Sequence, residues 1–146
     1  MRRFWSNALD TPPSFTRWHT GLEMIVGEID TNLEARVTLS LSHKERSLDI
    51  LFLVDSGFNG YLAVPQSVVS QLNLPLATVQ RGMTADGRVS YFDTVDVCVI
   101  WDGQPKFLRA QVLDEPLVGT QMLSGHDLQA RWEVGGLFRL SLIQSG

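Results

Sequence analysis

Five apolar residues in a row, Ile50-Leu51-Phe52-Leu53-Val54, run directly into Asp55-Ser56-Gly57, and no other stretch limits the possible folds as tightly. Such a run reads as a strand buried on both faces. It ends on a carboxylate, a group almost never fully buried without a partner. The turn formers Ser56 and Gly57 then bend the chain where the charge appears. A rigid strand that delivers a charge to a tight turn holds a reactive group in place. An ordinary strand end would use the same three residue types. The apolar run before Asp55, and Phe58-Asn59-Gly60-Tyr61-Leu62-Ala63-Val64-Pro65 after it, make Asp55 the candidate catalytic residue.

A chain of 146 residues fits one domain and buries about 70% of its unfolded surface. Its 44% hydrophobic and 19% charged content is that of a globular protein rather than a disordered one. A net charge of -4 with no basic stripe argues against a nucleic-acid partner. No apolar run approaches the roughly 20 residues that span a bilayer, and the start, Met-Arg-Arg-Phe-Trp-Ser-Asn, lacks an apolar signal core. The expectation is no membrane partner. One cysteine, Cys98, excludes an internal disulfide framework. Flanked by Val97 and Val99, it reads as a small buried hydrophobe, and a reducing cytoplasm is the simplest location. Three scattered histidines and one cysteine offer no metal-ligand spacing, so neither metal nor cofactor is expected.

Residues 1–20, with Trp5, Trp18 and Pro12-Pro13 but no period, read as a loosely ordered N-terminal arm; the tryptophans suit an arm that lies on its own domain or on a partner, and a frayed terminus is the alternative. Residues 21–146 form the domain. Strands are expected over Leu22–Ile29 and Leu33–Leu41, the second alternating apolar Ala35, Val37, Leu39 and Leu41 with polar neighbours. His43–Arg46 reads as a charged turn that leaves His43 solvated, and Leu48 opens the strand to Asp55. Pro65 suits the first position of a short helix with Val68, Val69 and Leu72 on one face, stopped by Asn73-Leu74-Pro75. Thr78–Met83 and Arg88–Trp101 pair as a long hairpin with an Asp86-Gly87 turn. Asp102-Gly103 turns into a strand over Lys106–Leu113. Thr120 caps a helical turn over Gln121–Gly125, and Leu128–Val134 and Leu137–Ile143 close a two-residue hairpin at Gly135-Gly136. About nine strands, one short helix and a helical turn give a mainly β domain with a closed or nearly closed barrel.

The segment Leu53-Val54-Asp55-Ser56-Gly57 resembles the hydrophobic-hydrophobic-Asp-Ser/Thr-Gly signature of aspartic proteases. Its continuation through Pro65 is similar to the small bacterial and archaeal single-domain retropepsin-like group. The resemblance extends to Ala85-Asp86-Gly87, Leu117-Val118-Gly119 and Gly135-Gly136, and covers roughly residues 22–143. It implies a retropepsin-like barrel that works as a two-fold homodimer. Asp55 would be catalytic, with Ser56, Gly57 and Gly119 supporting its loop. Phe58, Tyr61, Ala85, Asp86 and Gly87 would touch a peptide or protein substrate, the last three from a hairpin flap. Ser56 replaces the threonine more usual in retroviral members and keeps the hydroxyl. The acidic residue and the arginine that those members pair are replaced by Phe58-Asn59 and Thr120-Gln121, which leaves the holding of the dimer open.

Peptide hydrolysis by carboxylates uses two of them sharing a proton, one activating water and the other polarising the carbonyl. Asp10-Thr11-Pro12, Asp30-Thr31-Asn32 and Asp93-Thr94-Val95 all lack the glycine of a second Asp-Ser/Thr-Gly. Asp55 stands alone, so a two-lobed enzyme is excluded and a pair requires two chains. A Ser124-His126-Asp127 triad carries little weight, because neighbours on a turn point apart and no Gly-x-Ser-x-Gly elbow exists. The leading expectation is an aspartic endopeptidase. The alternative is a catalytically silent peptide-binding or dimerisation module of the same fold, and a third is a plain β-barrel with no site.

Overall fold

The computed structural model describes residues 24–83 and 86–144; the arm and Ala85 lie outside them. The element order is β1 (Met24–Ile29), β2 (Ala35–His43), β3 (Arg46–Val54), β4 (Leu62–Val64), α1 (Gln66–Leu72), β5 (Leu76–Met83) and β6 (Val89–Trp101). Then follow β7 (Gln104–Val112), β8 (Leu117–Val118), α2 (Thr120–Leu123), β9 (His126–Ala130) and β10 (Leu137–Leu142).

Six strands close a barrel in the order β2-β3-β8-β4-β7-β6, sealed where Leu41 and Ser42 pair with Val99 and Cys98. Two wings continue from it. β5 pairs with the first half of β6, and β1, β10 and β9 continue the sheet from the first residues of β2. The alternation read in β2 is real: Ala35, Val37, Leu39 and Leu41 point inward and are buried. They meet Phe52, Leu62, Val64, Val95, Val97, Val99, Trp101 and Val118 in one core. α1 closes one side with Val68 and Leu72.

Several expectations are corrected. The Ile50–Val54 run is buried on one face only: Phe52 is 0% exposed, but Leu51 is 55% exposed. β3 pairs with β2 along Arg46–Leu53 and with β8 only at Leu53 and Val54, while one face stays open. Leu33 does not begin β2; it sits in a tight turn with φ 60, its N–H bonded to Asp30 O at 3.0 Å. β4 has no signal in the sequence, because three residues are too few to show a period. Pro65 is the residue before α1 rather than its first, and Asn73 ends the helix with φ 54. Thr120 is the first residue of α2, which Gly119 precedes, and no side chain caps it.

The C-terminal hairpin differs most. β9 stops at Ala130, and residues 131–136 form a loop instead of a two-residue turn. Gly136 donates to Glu133 O at 2.8 Å, and a Cβ on it would stand 1.9 Å from Arg131 O. Gly135 donates to Ile29 O and Gly136 O accepts from Ile29 N–H, so both glycines bind the loop to β1. Cys98 is half-buried rather than buried, as it alternates outward between Val97 and Val99. His43 ends β2 and is half-buried rather than solvated.

Candidate active site

β8 is a two-residue strand held between β3, which it parallels, and β4, which it opposes. Leu53 N–H donates to Pro116 O at 3.0 Å and Asp55 N–H donates to Val118 O at 2.9 Å. The strand end that carries Asp55 is thereby pinned to the interior. Phe58 N–H closes the turn on Asp55 O at 3.1 Å, and Gly57 N–H donates to Asp55 Oδ1 at 2.9 Å. That last bond is the local side-chain-to-backbone type that Asp forms two residues on. It fixes the carboxylate while the residue stays half-buried, and among the described residues no cation pairs with it. A carboxylate braced by a backbone donor and not consumed by an ion pair remains available for proton transfer.

The Gly119 element supports this loop from behind. Gly119 N–H donates to Tyr61 O at 2.9 Å, Thr120 N–H to Phe58 O at 2.9 Å and Gln121 N–H to Gly60 O at 3.1 Å. A Cβ at Gly119 would lie 2.3 Å from Gly60 O and 2.6 Å from both Phe58 O and Phe58 Cδ2. Only glycine allows the two backbones so close. The sequence expectation for Gly119 therefore has a geometric basis.

Asp55, Ser56, Gly57, Phe58, Tyr61 and Gly119 form one cluster. Ser56 is exposed and Tyr61 is 43% exposed. Phe58 is half-buried, and its ring covers Gly60 and Gly119: Cβ atoms built there would meet it at 2.7 Å and 2.6 Å. Its ring thus packs the loop as well as bordering it. Asp86 and Gly87 belong to a different element, the turn of the β5–β6 hairpin. There Asp86 Oδ1 accepts from Arg88 N–H at 3.1 Å, and Gly87 has φ 86. Concavities of ≈ 820 Å³ beside the β9–β10 loop and ≈ 700 Å³ beside Cys98 both lie away from Asp55.

One polar cluster escaped the sequence reading. The side chain of His126 is only 4% exposed, and its Nε2 lies 2.8 Å from Asp102 Oδ2. Nδ1 is 3.1 Å from Ser124 O. The ring stands edge-on to Trp101 with centroids 5.4 Å apart. Asp127, the sequence neighbour, pairs across the ladder with Ser141 instead. No local pattern reveals the Asp102 partnership, because 24 residues separate the two side chains. Among the described residues no three His, Cys, Asp or Glu side chains converge to hold a metal ion, and no helix is long and apolar enough to cross a membrane. Neither a family model nor a curated protein matches the chain.

Proposed function

We propose that the protein is an aspartic endopeptidase of the retropepsin-like type, acting as a homodimer in which two copies of Asp55 share one proton. The observation that carries this reading is the braced, unpaired carboxylate of Asp55 at the junction of β3 and β8. A half-buried acid on a rigid strand end suits a general base, and its symmetry mate would supply the protonated partner. One carboxylate then takes a proton from water as it attacks the scissile carbonyl, while the other donates to the carbonyl oxygen. The β5–β6 hairpin serves as the flap, adding backbone hydrogen bonds to an extended peptide. The fixed loop contributes orientation, since Gly57 N–H holds one carboxylate oxygen and frees the other. With one cysteine, a cytoplasmic home fits the same reading.

The test is incubation of the full chain and its Asp55→Asn variant with a diverse peptide library across acid and neutral pH. Cleavage by the wild type, strongest below pH 7 and blocked by a statine-type inhibitor, is expected, with none from the variant. Undiminished cleavage by a folded Asp55→Asn protein ends the hydrolase reading. A wild type that binds peptides without cutting any supports the silent module instead.

A further inference from the structure

Gly60 and Gly119 both stand against the Asp55 loop, and neither has the left-handed φ that favours glycine. Space accounts for them instead. A Cβ on Gly60 would meet three side-chain atoms: Phe58 Cζ at 2.7 Å, Gln111 Nε2 at 3.0 Å and Phe58 Cε1 at 3.2 Å. The Gln111 amide ends a flexible chain that can swing away, so the ring is the obstacle. A Cβ on Gly119 would meet Phe58 Cδ2 at 2.6 Å, and there the backbone oxygens of Gly60 and Phe58 block it as well. One half-buried ring thus occupies the side-chain space of two glycines. The backbone of the same residue joins both halves of the support. Its N–H donates to Asp55 O at 3.1 Å, and its O accepts from Thr120 N–H at 2.9 Å. Val118, just before Gly119, accepts from Asp55 N–H at 2.9 Å.

We propose that Phe58 is a positioning residue for Asp55 rather than a substrate contact, its ring wedged over Gly60 and Gly119 to hold the loop against β8. Without the ring, the loop keeps its backbone bonds to residues 119–121 around a void, and voids of this kind close only in part. A shift of about 1 Å in a reacting group can cost about a hundredfold in rate. The catalytic consequence rests on the hydrolase reading; the wedge itself does not. Tyr61, 43% exposed, is the aromatic of this loop left to face a peptide.

The test uses the full chain and reads structure separately from activity. Phe58→Ala should speed hydrogen exchange of the Asp55 N–H about tenfold or more while the amides of the β6–β7 ladder keep their rates; Phe58→Leu, which keeps part of the bulk, should fall between. Gly60→Ala should lower the urea midpoint in the wild type and cost almost nothing in the Phe58→Ala background. Gly119→Ala should be costly in both, because the backbone oxygens still block it. On a peptide that the wild type cleaves, Phe58→Ala should lower kcat about tenfold or more with KM held within about twofold, and Phe58→Leu should recover most of the rate. A Gly60→Ala cost equal in the two backgrounds, or an Asp55 amide whose exchange ignores the ring, overturns the wedge. An unchanged kcat in folded Phe58→Ala, with or without a rise in KM or a new cleavage preference, overturns the positioning role. A wild type that cleaves nothing while the exchange and Gly60 results hold defeats the hydrolase reading and leaves the wedge standing.

Discussion

Replacing Gly119 with alanine tests the account of the Asp55 loop most directly. The added Cβ would stand 2.3 Å from Gly60 O and 2.6 Å from Phe58 O. Both oxygens are backbone atoms already holding hydrogen bonds from Gln121 and Thr120. Relief to an ordinary contact of about 3.2 Å requires the loop and β8 to separate by nearly 1 Å, which stretches those two bonds and the one from Gly119 N–H to Tyr61 O. Three backbone bonds at about 1 kcal/mol each give a loss of about 3 kcal/mol, within the range of overpacking a dense site. For a chain of this size that is a fall in Tm of about 10 °C. Urea denaturation followed by tryptophan fluorescence measures it. The control is Gly87→Ala at the β5–β6 turn: nothing lies within 4 Å of its Cβ, but φ is 86, so left-handed strain of about 1 kcal/mol is the whole cost. If Gly119→Ala proved no more costly than Gly87→Ala, the close approach of the two backbones would not be what positions Asp55.

Four further expectations are independent of that loop. Phe52→Ala empties a fully buried site and should cost about 4 kcal/mol in the same denaturation assay. Thr94 is buried and its Oγ1 accepts from Thr78 N–H at 3.1 Å, so Thr94→Val should lose about 1–2 kcal/mol by stranding that donor, readable from the shift of the urea midpoint. His126→Ala leaves the Asp102 carboxylate nearly buried without its partner and should destabilise by about 3 kcal/mol, with Asp102→Asn recovering part of that in the His126→Ala background. Arg36 beside Asp30, aided by the Glu34 and Asn32 N–H groups, holds the Asp30 carboxyl below its ordinary value. A lowered folded value means that its stabilisation is full above the unfolded value of 3.8 and disappears as pH falls through the folded one. Asp30→Asn should therefore lower stability near neutrality and flatten the acid limb, the two proteins converging as pH falls through the folded value.

Much of the barrel could be read from the chain because β2 shows its period openly and Asp55 interrupts an apolar run. What stayed hidden depends on distant partners. Leu51 belongs to an apolar run yet faces out, since composition cannot say which face a strand offers to the core. β4 and β8 are strands by virtue of their neighbours rather than their own length. Gly135 and Gly136 look like a two-residue turn until their bonds to Ile29 are seen. The link between His126 and Asp102 unites a turn and an edge strand that no spacing rule connects.

β6 is 13 residues long, and only its later part is committed to closing the cylinder. The changeover falls at Thr94 and Val95, where the β5 register slips between Leu76 and Thr78. There the two threonines clasp each other, hydroxyl to hydroxyl at 2.8 Å. From Val79 to Met83 and from Val89 to Asp93 the two strands pair only with each other among the described residues, so this clasp is the last point that ties the hairpin to the cylinder. Residues at the clasp, rather than those at the tip, therefore govern how stiffly the hairpin rides.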